Sequence, residues 1–365
     1  MDRTADVRGQ GLDQSLAGAV ILRQHAAEIF RAGVAAADPG RAVKAHLAVE
    51  SHRLAVRTAA GEVHVGLPRS GEGRVIVVGA GKGSAPMARA VEEILAGRVW
   101  GGAVCVKDGH GATLERIQVL EASHPVPDGR GVRAAERILG LVRGAGAEDL
   151  VISVLSGGGS ALLTLPAPGV TLEDLRSLTD LLLGSGASIG EINTLRKHLS
   201  QVKGGRLAVA AHPARVVNLV LSDVVGDRLD VIASGPFTAD PSTFAQAREI
   251  LVRYGLLDRV PEAVRQAVEA GVLSEVAETP KAGDPALVGV VQAIVGSNRL
   301  SLEAAAGKAR DLGYRPLILS SQVQGEAREA ARFLAAIAKE SRLSGDPLPP
   351  PACLLAGGET TVTLK

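Results

Sequence analysis

From residue 74 onward, short and almost wholly apolar runs alternate with longer segments whose apolar residues recur at helical spacing. RVIVVG (74–79) predicts a buried strand, and SAPMARAVEEILAG (84–97) predicts a helix with a glycine stop. GAVCV (102–106) and IQVLEA (117–122) read as strands. Residues 129–145 read as a helix, and DLVISVL (149–155) as a strand running into the loop SGGGS. Helices are expected at 171–184 and 189–203, and a strand at 214–224. Apolar strands alternating with helices predict an α/β fold, with a mainly parallel sheet covered by helices on both faces.

The flanks are weaker. Residues 1–10 are polar and read as a frayed end. Residues 13–36 carry Leu16, Val20, Ile21, Ile29 and Phe30 at the spacing of an amphipathic helix, and 42–66 show no clear period. VAETPKAGDPAL (276–287) reads as a linker. A second α/β rhythm follows it, with a strand at 288–296, a helix at 300–312, a strand at 315–321, a helix at 326–343 and the strand-like CLLAGG and TTVTL. The division expected is therefore 1–280 and 281–365. The second, smaller domain reads as C-terminally truncated, because the chain stops after a strand with no closing helix.

Composition narrows the function class. The net charge of +1 argues against a nucleic-acid binder, which wants a strongly basic domain. Cys105 and Cys353 are far apart, lie in apolar runs and lack metal spacing, so they read as buried thiols in a reducing compartment. The N-terminus has no apolar core of a signal peptide, and no stretch reaches the ~20 apolar residues of a membrane helix. A cytoplasmic protein without a membrane or nucleic-acid partner is expected, and a homo-oligomer is left open.

The candidate chemistry lies at strand ends. Gly79-Ala-Gly81-Lys82-Gly83-Ser84 sits between a strand and a helix, where glycines permit tight turns and free N–H groups can hold an anion. It lacks the Walker A spacing, and it half-matches the dinucleotide fingerprint, with Ser84 in place of the third glycine and no acidic residue ending the next strand. A bare turn is the alternative, but Lys82 favours a phosphate or carboxylate. Ser156-Gly157-Gly158-Gly159-Ser160 suits a backbone that wraps a ligand, or else a flexible turn. Asn193, Arg196, Lys197, Ser200 and Lys203 fall on one helical face, with Gly204-Gly205 as its stop. They form either a cationic wall for phosphate or a carboxylate, or a solvated basic face. Asp223, Asp227 and Asp230 follow a buried strand. Mg²⁺ takes one or two carboxylates plus phosphates, which suits Asp223 first and Asp227 second. Asp227 and Asp230 serve equally as a cap or as a partner of Arg228.

The segments GAGKGSAPMA, EASHPVPDGRG, LSGGGSALL, LLLGSGASIGEINTLRKHLSQVKGGRLA, LSDVVGDRLDVIASGP and AGGETTV resemble, in order, glycerate 2-kinases of the MOFRL type. Some members of that family carry the label hydroxypyruvate reductase. The resemblance implies transfer of the ATP γ-phosphate to the 2-hydroxyl of D-glycerate with Mg²⁺. It also implies a Rossmann-like first domain and a second α/β domain of MOFRL type, with the active site in the cleft between them. The family's central lysine falls on Lys82 and its cleft arginine on Arg328, and Glu359 lies in the GGET strand turn. Family members continue past that strand, so the truncation puts turnover of this form in question. The alternatives are an NAD(P)-dependent hydroxypyruvate reductase and a non-catalytic ligand-binding protein.

Overall fold

The structure is a computed structural model that describes residues 5–69 and 71–363. Side chains are described from residue 18 onward. The start of the polar stretch 1–10, the side chain of Leu16 and the last two residues of the chain lie outside the described residues.

Along the chain come helix α1 (Ala5–Ala36), helix α2 (Pro39–His46), and strands β1 (Leu47–Glu50), β2 (Arg53–Thr58) and β3 (Gly61–Gly66). They are followed by β4 (Val75–Ala80), α3 (Ser84–Leu95), β5 (Val99–Lys107), β6 (Ile117–Ala122), α4 (Gly129–Arg143) and β7 (Leu150–Leu155). Four helices precede the next strand: α5 (Gly159–Leu162), α6 (Leu172–Gly184), α7 (Ile189–His198) and α8 (Arg206–Ala211). Then come β8 (Arg215–Leu221), a 3₁₀ turn (Ile232–Ser234), α9 (Phe244–Arg253), α10 (Glu262–Val272), α11 (Pro285–Val288) and β9 (Val290–Gly296). The last elements are α12 (Asn298–Asp311), β10 (Arg315–Val323), α13 (Ala327–Leu343) and β11 (Ala352–Gly358).

The chain divides into two compact units, Pro39–Val295 and the pair Met1–Asp38 with Gly296–Lys365. The larger unit is built on a six-stranded sheet of order β6-β5-β4-β7-β8-β9. β4 pairs in parallel with β5 and β7, β5 with β6, and β7 with β8. Every residue of β4 and β7 is buried, as expected of strands covered on both faces. Their side chains alternate between two cores. Ile76, Val78, Val151 and Leu155 pack with Ile138 and Val142 of α4, whereas Val75, Val77, Ile152 and Val154 pack with Met87 and Val91 of α3. Each such side chain contributes ~1.5–3 kcal/mol of burial.

A third core joins α6, α7, α9 and α10 through Leu178, Leu182, Leu195, Leu251 and Val264. Three of these helices start at reciprocal caps: Thr171 with Asp174, Ser188 with Glu191, and Thr243 with Gln246.

Some expectations change. Residues 47–66, without visible pattern, form the antiparallel sheet β1-β2-β3, whose strands mix polar and apolar residues and are buried in part. The helix expected to reach 203 ends at His198. The segment read as a linker is stitched into the larger unit. Thr279 is buried and donates to Asp240 (3.0 Å), and the Pro280 carbonyl accepts from the Asp240 N–H (3.0 Å). The strand expected to open a second domain, β9, is the sixth strand of the large sheet, so the units divide near 295 where the sequence pattern divides near 280. In the smaller unit, β10 and β11 pair in parallel, and α1 lies against α12, with Gly33 close to the Ser301 carbonyl.

Candidate functional site

The strand order is that of a doubly wound dinucleotide-type sheet. Its first strand, β4, is followed by neighbours on one side, and the chain then crosses to β7 on the other. The crevice outside the carboxyl ends of β4 and β7 is the switch point where such sheets bind ligands. Both glycine loops lie there, one after each strand.

The loops are tied to one another. The Lys82 N–H donates to the Gly157 carbonyl (2.9 Å), the Ser156 N–H to the Ala80 carbonyl (3.2 Å) and the Gly83 N–H to Ser156 Oγ (2.9 Å). Ser84 Oγ donates to the Val154 carbonyl (2.9 Å), and the Gly81 N–H to the Cys105 carbonyl (3.0 Å). Ser84 and Ser156 are buried, and Gly79 lies within β4 against Val154. These residues therefore shape the crevice from inside. Ser160 Oγ meets Ser234 Oγ at 2.9 Å, which fixes the far end of the second loop.

What faces outward is narrower. Lys82 is exposed, and its ammonium makes no ion pair or hydrogen bond among the described residues. Its Cε lies 3.3 Å from where a Cβ on Gly158 would stand, and the His124 ring lies 3.0 Å from the same point. Gly158 has φ +85°, so a side chain there is excluded by conformation as well as by these neighbours. A Cβ on Gly157 would collide with the Asp223 carboxylate, and one on Gly159 would approach Ala233 Cβ to 2.7 Å. Asp223 is exposed just after β8, again without a partner among the described residues. Lys82, His124 and Asp223 thus converge on three glycines that leave the backbone bare. His124, which lies in the segment EASHPVPDGRG but is not among the candidate residues read from the sequence, is the residue missed. Burial, and then the Lys82 charge, hold its pKa below the ordinary histidine value.

The basic segment 193–206 splits. Lys197 is buried and pairs with Asp240 (2.8 Å), lying 3.8 Å from Asp230. Burial alone would raise Asp240, but hydrogen bonds from Lys197 and Ser242 outweigh it and keep its pKa low. Lys203 stands beyond the helix and donates to the Ser160 and Leu163 carbonyls, each at 2.6 Å, so it braces α5 from behind. Burial, then the charge of Arg196, push Lys203 down to about 7. A neutral amine keeps two N–H donors, enough for both carbonyls. Asn193 is buried with Oδ1 unpaired. Arg196, partly buried, makes no ion pair or hydrogen bond among the described residues.

Among the three aspartates, Asp230 is held by Arg228 (2.7 Å), as the alternative reading required. Asp227 sits in a left-handed turn (φ 52°) with its N–H on the Val224 carbonyl. Ala233, Ser234 and Gly235 are consecutive residues in left-handed geometry beside the second loop, a strain that marks functional segments and that no sequence signal announced. Among the described residues, the cluster of three side chains able to hold a metal is Glu50, Glu62 and His64, exposed on the small antiparallel sheet. An acidic residue does follow β5, contrary to the sequence reading, because the strand extends to Lys107. That residue, Asp108, is engaged by Arg130 at 2.6 and 2.8 Å.

Arg328 and Glu359 belong to the smaller unit, at the carboxyl ends of its parallel pair. Arg328 is exposed near the start of α13, 3.5 Å from Glu329, and the Glu359 N–H donates to the Val323 carbonyl (2.9 Å). Among the described residues no helix is long and apolar enough to cross a membrane.

Residues 25–269 match the family described as "Domain of unknown function (DUF4147)". A protein of Agrobacterium vitis named "Putative hydroxypyruvate reductase" is 46% identical over 345 residues, 94% of this chain and 72% of its own. The "Glycerate 2-kinase" of Pyrococcus horikoshii is 42% identical over 95% of this chain and 76% of its own. The crystal structure of a glycerate kinase from Thermotoga maritima superposes with a TM-score of 0.80 at 41% identity, covering 94% of this chain and 75% of that one.

Proposed function

We propose that this chain, which belongs to the DUF4147 family, is a glycerate 2-kinase. It transfers the γ-phosphate of ATP to the 2-hydroxyl of D-glycerate, giving 2-phosphoglycerate and ADP. The observation that supports this most is the convergence at the switch point of a bare glycine loop with a lysine and an aspartate that are unpaired among the described residues. Phosphoryl transfer asks for positioning and charge neutralisation more than covalent help, and this arrangement supplies both.

In this reading, Lys82 and the amides of the second loop hold phosphate oxygens. The glycerate hydroxyl attacks the γ-phosphorus, the bond to the ADP oxygen breaks, and Asp223 accepts the hydroxyl proton. Alternatively to taking the proton, Asp223 suits Mg²⁺, because an exposed carboxylate without a partner among the described residues can complete the shell of an ion that mainly binds phosphate and water. Mg²⁺ held there would neutralise charge on the phosphates. Asp227 is the second candidate ligand. Arg328 enters as a catalytic cation on the family resemblance. A reducing, cytoplasmic setting fits two free cysteines, of which Cys105 is pushed up to about 12 by burial and is inert as a thiolate.

A reductase reading keeps two observations in its favour, the dinucleotide-type strand order and Asp108 after β5. The engagement of Asp108 by Arg130 counts against it, since the carboxylate is not free for a ribose. The test is ADP release from Mg-ATP with and without D-glycerate, beside NADH oxidation with hydroxypyruvate. Glycerate-dependent ADP supports the kinase. NADH oxidation alone would replace it with the reductase, and ligand binding without either would leave a binding protein.

A further inference from the structure

We propose, resting on the kinase reading, that the cavity beside the second glycine loop receives the nucleoside end of ATP. The cavity measures about 470 Å³, and Ser160 of the loop forms part of its wall. Pro125, also in the wall, directly follows His124, whose ring stands against Gly158. A ligand that fills the cavity therefore runs on to the loop. Glycerate, a three-carbon acid, would leave most of this volume empty and has little apolar surface to set against Val126, Leu175 and Leu183. A purine nucleoside has flat apolar faces for those side chains and polar edges for Thr164 and Thr179, and pockets of ~300–1,000 Å³ suit ligands of its size.

Of the charged residues in the wall, Asp180 is exposed at the rim, and Glu173 is held by Arg176. Arg176 is engaged by the Pro127 carbonyl (2.6 Å) and Glu173 (3.2 Å), and Lys203 by its two carbonyls. Arg196 remains. Burial lowers its pKa from the ordinary arginine value, and it makes no ion pair or hydrogen bond among the described residues. A partly desolvated, unpaired guanidinium is costly, and phosphate oxygens of the nucleotide would satisfy it. The nucleoside would then lie against α6, with Arg196 on its phosphates. The γ-phosphate would reach Lys82 and Asp223, which leaves glycerate to bind beyond it.

Two variants test this on the full chain, with MgADP binding by calorimetry and separate KM values for ATP and glycerate. Leu183→Glu puts a charge on an apolar wall at a position that is 60% exposed and so tolerant of change. Thr179→Trp fills the cavity from α6. Each is expected to weaken MgADP binding and raise the KM for ATP by about tenfold or more, with the KM for glycerate held within about twofold. Cooperative melting of Leu183→Glu shows that its loss is local. A raised KM for glycerate with intact MgADP binding would overturn the assignment and make the cavity the acceptor site. Unchanged values for both ligands, or a wild-type chain that does not bind MgADP, would overturn it too. MgADP binding that the variants abolish, without phosphate transfer to glycerate in the wild type, would leave the cavity assigned and refute the kinase. Turnover insensitive to both variants would refute the cavity alone.

Discussion

Two basic regions of the larger unit look alike as sequence and differ as structure. In the first, Gly79–Ser84, one lysine stands exposed over a glycine loop, with no ion pair or hydrogen bond to its ammonium among the described residues. In the second, residues 193–206, the lysines are used internally: Lys197 neutralises Asp240 and Lys203 braces α5, while Arg196 makes no ion pair or hydrogen bond among the described residues. A cluster of cations in a sequence therefore does not distinguish structural charge from functional charge. The partner each one finds does. A lysine held by a buried carboxylate stabilises the fold, and a lysine without a partner is available to a substrate anion.

Substitutions at the two regions should fail in opposite ways. The largest effect belongs to Lys82→Ala, which should lower kcat/KM by about 10²–10³-fold, as removal of a charge stabiliser does, with an unchanged melting temperature. A variant that keeps near wild-type kcat would remove Lys82 from the mechanism. Lys197→Met should do the reverse. It strands the buried Asp240 carboxylate and should cost about 3–5 kcal/mol in denaturant unfolding, with the remaining folded protein still binding MgADP. Loss of turnover with full stability would move Lys197 into the site.

Lys203 sharpens the comparison through pH. Its folded pKa of about 7 lies below the unfolded value, so between pH 7 and the ordinary lysine range the unfolded chain holds the extra proton. Stability should then rise with pH through that window, and Lys203→Met should flatten the rise. Identical pH profiles for the two proteins would contradict a deprotonating Lys203. The smallest effect belongs to Arg228→Ala. The Arg228–Asp230 pair has an arginine 63% exposed, and its loss should change stability by less than ~1 kcal/mol by thermal melting.

The sequence carried the parts of this account that depend on local pattern. The apolar runs of β4 and β7 and the loops after them are legible because buried parallel strands and glycine turns each have a strong signature. The strands of residues 47–66 were not legible, because each is only partly buried and so is not a continuous apolar run. The membership of β9 in the large sheet, the end of α7 at His198 and the role of His124 depend on residues brought together from far along the chain. His124 reaches Gly158 across the sheet end, and Thr279 reaches Asp240 from a segment that reads as a linker. Partner choice of that kind is set by tertiary packing, so residue type and spacing do not reveal it.

The most direct test is a ³¹P spectrum of the products formed from ATP and D-glycerate, run with the wild type and with Lys82→Ala at equal folded concentration. The account predicts 2-phosphoglycerate and ADP from the wild type, and from the variant at least about a hundredfold less. Phosphate on the 3-hydroxyl, or equal product from both proteins, would contradict it.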